Sequence, residues 1–301
     1  MYLEDSEFNV VAINDLTDPE QLAYLLKYDT SHRKYLENDI SYDEENIIVK
    51  GRKIRIYKEM DPSKLPWGEL GIDAVYECTG KFTDKDKAIE AGAKKVIISA
   101  PAKGDLKTIV YGVNENILDG SEKVISAASC TTNCLAPVVN VLNKEFGINR
   151  GYMTTVHAYT NDQSILDLAH PKGAKSRRGR AAAANIIPAS TGAASALGKV
   201  IPELDGKLDG NALRVPVTTG SVVDLSLELS KKVTKKEIND VFKKYQNDTL
   251  GYTEDPIVSS DIIGDSHGGV VDGLLTDVLE TDSGDFVKIV AWYDNEMSYS
   301  S

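Results

Sequence analysis

The sequence predicts an α/β protein in two parts: a mostly parallel sheet domain over residues 1–129, then an α+β domain with an antiparallel sheet over residues 130–301. Three observations carry this. The first 130 residues alternate short, apolar β-rich runs with helical stretches, the pattern of strands covered on both faces. Beyond Val215 the apolar residues fall into period two, the signature of half-buried antiparallel strands. At 301 residues the chain exceeds what one compact core usually holds.

Taken in order, Phe8 to Ile13 reads as a buried strand ending at the polar pair Asn14-Asp15. Asp18 then caps a helix, with Pro19 at its first position, Gln21 three residues on from the cap, and Leu22, Leu25 and Leu26 as the apolar stripe. Asn46 to Val49 and Ile54 to Tyr57 flank Lys50-Gly51 as a hairpin. Strands follow at Ala74 to Glu77, Val96 to Ser99, Thr108 to Val113 and Val124 to Ser126, with a helix from about Thr83 to Ala91. A helix carrying Leu135, Val138, Val139, Leu142 and Phe146 leads into a strand over Tyr152 to Tyr159. The alternation of Val223, Leu225, Leu227 and Leu229 marks another, and Gly273 to Glu280 with Phe286 to Trp292 form a hairpin around Asp282-Ser283-Gly284. There is no internal repeat.

Composition removes several functional classes. Lys and Arg total 34 against 46 Asp and Glu, a net charge of −12, which disfavours a general nucleic-acid or anionic-membrane binder. Any anionic ligand therefore depends on a local cluster of cations. Three cysteines, Cys78, Cys130 and Cys134, are too few and odd for a disulfide framework and suit a reducing compartment. With no apolar run long enough to span a membrane and no signal-peptide pattern at Met1, the expected location is the cytoplasm.

Chemistry concentrates around Cys130. Ser129-Cys130-Thr131-Thr132-Asn133-Cys134 stands where a strand gives way to a helix, so free N–H groups and the positive dipole end favour a thiolate. A small buried cysteine behind a serine cap, or a weak metal pair of Cys130 and Cys134, would read the same way. Of His32, His157, His170 and His267, His157 lies near a strand end, where sites are usually built. The run Arg177-Arg178-Gly179-Arg180 is either an anion ligand or a solvated loop.

Four blocks then stop being generic. Ser126 to Pro137 (SAASCTTNCLAP), Thr154 to Thr160 (TTVHAYT), Ile187 to Ala194 (IPASTGAA) and Trp292 to Glu296 (WYDNE) occur in an order that resembles glyceraldehyde-3-phosphate dehydrogenase, over about Val10 to Tyr299. The resemblance implies a Rossmann-type first domain, a tail from about residue 295 returning to it, a homotetramer, and oxidative phosphorylation of glyceraldehyde 3-phosphate in glycolysis. It implies Cys130 as nucleophile and His157 as base. Phosphate enters twice, on the substrate and as the attacking group, and Ser129, Thr131, Thr160, Arg178, Thr191, Gly192 and Arg214 resemble its ligands. Asn14, Asp15, Thr79, Gly80, Ser99, Asn295 and Tyr299 resemble the residues that hold NAD. Asp15, with Leu16 and Leu168 crowding the space beside it, favours NAD over NADP, while Met60 stands where many relatives carry an arginine near the adenine.

The pattern departs at its start. Only fourteen residues precede Asp15, none is glycine, and the first glycine is Gly51, so the family's first strand and phosphate-binding turn are missing and Met1 to Phe8 resembles the end of its first helix. The chain also stops at Tyr299-Ser300-Ser301, where the family continues. These features suggest a fragment or a misplaced start, truncated at both ends. Two alternatives stand beside the enzyme reading: an erythrose-4-phosphate dehydrogenase that releases its product to water, and a non-catalytic binding protein on the same scaffold.

Overall fold

A computed structural model describes residues 3, 7–83, 92–282 and 284–301. The chain forms two compact units, Met1–Leu106 with Gly120–Ser126, and Lys107–Asp119 with Ala127–Ser301.

In the first unit β1 (Ala12–Asn14) leads into α1 (Pro19–Lys27), followed by a small hairpin of β2 (Tyr28–Asp29) and β3 (Arg33–Lys34). Next come β4 (Ile40–Tyr42), β5 (Asn46–Val49) and β6 (Arg52–Tyr57). They form one sheet in the order β1-β6-β5-β4, with β1 parallel to β6. A second, wholly parallel sheet of β7 (Ala74–Glu77), β8 (Lys95–Ile98) and β9 (Val124–Ser126) completes the unit. Local chemistry explains the accurate parts of the sequence reading. Asp18 accepts the Gln21 backbone N–H at 2.9 Å and starts α1 with Pro19 at its first turn. Lys50 and Gly51 both take positive φ, 49° and 79°, the twist a two-residue hairpin needs.

Other expectations fail where partners are lacking. The strand placed at Phe8 to Ile13 shrinks to β1, and Phe8 and Val11 are exposed, because among the described residues only one flank of the segment is paired. Ala74 and Tyr76 on β7 are likewise exposed, since among the described residues β7 pairs only with β8. Leu25 is exposed on α1, whose buried contacts come from Pro19 and Ala23. The helix expected at Thr83 to Ala91 lies outside the described residues from position 84 onward. Thr108 to Val113 is no strand: it turns at Gly112, at φ 76°, and buries Val110 in the second unit's core.

The second unit opens with α2 (Cys130–Phe146) and β10 (Ile148–Ala158). After β11 (Ile187–Ser190) and α3 (Ala193–Val200) come β12 (Leu208–Val215), β13 (Ser221–Leu229) and α4 (Lys235–Lys244). The chain ends with β14 (Leu250–Thr253), β15 (Gly269–Asp272), β16 (Asp277–Glu280), β17 (Asp285–Tyr293) and α5 (Met297–Ser300). One mixed sheet runs β11-β12-β10-β13-β17-β15-β14, with β16 beside β17. It is mostly antiparallel, but β12 is parallel to β10 and sets Arg214 opposite His157. Strict alternation points Val223, Leu225, Leu227 and Leu229 inward together with Val287, Ile289, Ala291 and Tyr293. Leu135, Val138, Val139 and Leu142 of α2 complete that core. Residues 295–301 group with this unit: Ser221 donates to Asn295, and Tyr299 donates to the Ala128 carbonyl at 3.1 Å.

Candidate active site

The site grows from the start of α2. Ser129 caps the helix, its Oγ accepting the Thr132 N–H at 3.2 Å, and Ala128 before it is held at φ 61°, a conformation side chains other than glycine rarely adopt. Cys130 is thereby fixed as the first helical residue, partly exposed. Cys134, one turn on, is fully buried with its Sγ 3.9 Å from the Ala291 carbonyl, and burial drives its thiol far up. That makes it inert.

His157 comes from β10, on the same buried face as Met153 and Thr155. Its Nε2 lies 3.4 Å from Cys130 Sγ. Burial first, and then the positive charge of Arg214, lowers its pKa to about 4, so the ring is neutral near pH 7. Burial also raises the Cys130 thiol, against the opposing pull of the Thr131 hydroxyl and N–H groups and of Arg214. The resting pair is therefore thiol and neutral imidazole. This differs from the thiolate expected at a helix start, because desolvation outweighs the few favourable dipoles.

The anion candidates form one connected network. Arg214 Nη1 reaches His157 Nδ1 and the Ala158 carbonyl at 2.9 Å each, and Thr160 Oγ1 at 3.2 Å. Thr160 donates to Asp162 at 2.7 Å, Asp162 pairs with Arg178, and Arg178 reaches the Ser190 carbonyl at 3.3 Å, next to Thr191 and Gly192 at the start of α3. Two of the expected ligands sit apart from this network: the Ser129 hydroxyl is engaged with Thr132, and that of Thr131 with Tyr293.

Sequence reading missed Asp162 and Tyr293. The Tyr293 hydroxyl lies 2.9 Å from both Thr131 Oγ1 and Thr155 Oγ1, tying the helix of Cys130 to the strand of His157, and its ring meets His157 edge-on at 5.9 Å. The period-two pattern of β17 already places Tyr293 inward with Ile289 and Ala291, which was the available signal. For Asp162 no local signal existed, since its role depends on Arg178 sixteen residues away.

Cofactor candidates appear in both units. In the first, Asp15 follows β1 at the carboxyl end of a parallel strand, where dinucleotides bind in such sheets. Its Oδ1 accepts the Thr17 N–H at 2.9 Å, and a carboxylate there suits a ribose diol and repels a 2′-phosphate. Thr79 and Gly80 are exposed just beyond β7, and Ser99 follows β8, its N–H donating to the Glu77 carbonyl at 3.0 Å. Asn14 is bonded through both amide atoms to the Glu59 backbone, which fixes the turn. In the second unit Asn295 Oδ1 accepts from Ser221 at 2.8 Å and Thr219 at 3.2 Å, leaving its amide N–H groups as the directed donors. Taken by itself, each of these groups is of the kind that NAD requires, and Asp15 suits an unphosphorylated 2′-hydroxyl.

Comparison with known proteins agrees with this chemistry. The family model for the glyceraldehyde 3-phosphate dehydrogenase NAD binding domain matches residues 1–85, and that for the C-terminal domain matches residues 129–295. The chain is 58% identical over 302 residues to the glyceraldehyde-3-phosphate dehydrogenase of Clostridium pasteurianum, covering 99% of this chain and 90% of that protein. The proteins of the same name from Clostridium acetobutylicum and Borreliella burgdorferi are 57% and 56% identical, each over 90% of the relative and over 99% and 97% of this chain.

Proposed function

We propose, from the premise that this chain belongs to the glyceraldehyde-3-phosphate dehydrogenase family, that Cys130 is its nucleophile and His157 its general base. The protein is an NAD-dependent dehydrogenase that oxidises and phosphorylates glyceraldehyde 3-phosphate. The observation that carries the assignment is the 3.4 Å approach of Cys130 Sγ to His157 Nε2.

Each residue's part follows from that geometry. Cys130 Sγ attacks the aldehyde carbon while its proton passes to Nε2 and from there to the carbonyl oxygen, forming a C–S bond and a thiohemiacetal and leaving the ring neutral again. His157 then takes the proton of the adduct's hydroxyl as the carbon is oxidised. NAD, when bound, supplies the hydride acceptor that makes this oxidation possible, held by Asn14, Asp15, Thr79, Gly80 and Ser99 and by Asn295 and Tyr299. Inorganic phosphate attacks the resulting thioester carbon, the acyl phosphate forms, and Cys130 leaves as the thiolate. Arg178, Arg214, Thr160, Thr191 and Gly192, with the hydroxyls of Ser129 and Thr131, hold the two tetrahedral anions. In an acidic chain these arginines are the local cations such ligands require.

The first unit is the NAD-binding half and the second the catalytic half. The enzyme acts in the cytoplasm as a homotetramer. Exposed apolar side chains at Ile165, Leu166, Leu168 and Ile186 support self-association, and three unpaired cysteines support a reducing compartment. Among the described residues no helix is long and apolar enough to cross a membrane.

The test is NADH formation from glyceraldehyde 3-phosphate as inorganic phosphate is varied from none to saturating. The steady-state rate is expected to climb with phosphate, and arsenate to replace it. A phosphate-independent rate yielding free 3-phosphoglycerate would instead mark a hydrolytic enzyme.

A further inference from the structure

His157 Nδ1 stands between two groups that make opposite demands on it. The Ala158 carbonyl, 2.7 Å away, can only accept a hydrogen bond, so it requires a proton on Nδ1. Arg214 Nη1, 2.9 Å away, can only donate, so it requires Nδ1 to be bare. A neutral ring satisfies one of them at a time. The choice fixes the atom that faces Cys130: with Nδ1 bare the ring proton sits on Nε2 and points at Sγ, and with Nδ1 protonated Nε2 presents the lone pair a base needs.

Arg214 is unevenly used. Its Nη1, with two hydrogens, has three acceptors within reach, His157 Nδ1, the Ala158 carbonyl and Thr160 Oγ1, while its buried Nε has no hydrogen-bond partner. Because Nη1 also bonds the Ala158 carbonyl, that carbonyl is satisfied without the imidazole. With its two hydrogens placed on Nδ1 and on the Ala158 carbonyl, the guanidinium bridges these two acceptors and holds the ring with Nδ1 bare as long as nothing else claims those hydrogens.

We propose that Arg214 is a positioning residue that selects the His157 tautomer, and that a phosphate-type anion drawing its donors away from Nδ1 converts the ring to the form in which Nε2 accepts a proton from Cys130. One proton leaves Nε2 and one arrives at Nδ1, so the ring is neutral before and after. The base thus becomes competent when the substrate's anion has arrived. Other groups facing the ring are the Cys130 thiol from α2, the Tyr293 ring from β17 and, as a charge, Arg178. None of them touches Nδ1 in the hydrogen bonds of the described residues.

The inference rests on the assignment of Cys130 and His157, so its test is arranged to separate the two. With only four histidines, ¹⁵N-histidine labelling resolves Nδ1 and Nε2 of His157 directly. Inorganic phosphate is titrated into the free enzyme. The wild type is expected to pass from an Nε2-protonated to an Nδ1-protonated ring, and the imidazole's titration midpoint to rise as the charge of Arg214 is neutralised. Arg214→Leu is expected to show the Nδ1-protonated ring without phosphate and no response to it. A wild-type ring whose tautomer ignores saturating phosphate overturns the proposal, whatever the variant does. Cys130→Ser is assayed beside these proteins: NADH formation retained in that variant overturns the underlying assignment, whereas activity lost in it beside an indifferent wild-type ring overturns the switch alone.

Discussion

The two units are built to different standards. In the second, one sheet and its helices bury a single continuous core, with Leu135, Leu142, Leu225, Leu227, Val287 and Ile289 fully enclosed. In the first, among the described residues, seven strands are divided between two sheets, β2 and β3 form a hairpin apart, and the apolar residues fall into two smaller clusters around Ile98 and Ile54. The groups that must be held to fractions of an ångström, Cys130 and His157, both stand in the well-packed unit. The candidates for the adenosine half of the cofactor lie at strand ends of the looser one. Precision of placement goes with density of packing, since rotamers locked by neighbours cannot drift.

Substitutions can break this contrast, the most severe at the proposed nucleophile. Cys130→Ser is expected to lower NADH formation by at least about three decades, because the weaker nucleophile removes the covalent step. Calorimetric titration should show NAD binding retained, and loss of both together would deny the division of labour between the units.

Core truncations address packing. Leu225→Ala in the second unit should cost about 3 to 5 kcal/mol in urea unfolding, near the upper end for such changes. Ile56→Ala in the first unit, also buried, should cost about 2 kcal/mol, since its smaller cluster can collapse around the void. Equal losses would erase the difference.

A smaller effect comes from His157. Its folded pKa of about 4 lies below the ordinary 6.5, so the unfolded chain binds the proton more readily between those values. Stability is then fully present above pH 6.5 and drains away as pH falls toward 4, by roughly 3 kcal/mol from this group. His157→Gln should flatten that part of the stability profile, as read by thermal unfolding against pH. An unchanged slope would mean that the ring is not buried neutral.

Much of this was legible along the chain. The Asp18 cap, the Lys50-Gly51 turn and the start of α2 at Cys130 depend on residues within a few positions of each other, so sequence order carries the information. Period two likewise announced β13 and β17, and the motifs around Cys130 and His157 singled out two side chains that the fold brings to 3.4 Å of each other. What the sequence could not decide was set by partners distant in the chain. Val110 left the first unit because a core elsewhere had room for it, and Leu25 stayed exposed on a helix patterned to bury it. The neutrality of the Cys130–His157 pair follows from desolvation by the folded interior. The contest for Nδ1 follows from the parallel pairing of β10 with β12, which brings Arg214 across from His157 over fifty-seven residues of chain. Local propensity and motif determine which groups are present, while burial and strand register determine which proton each one holds.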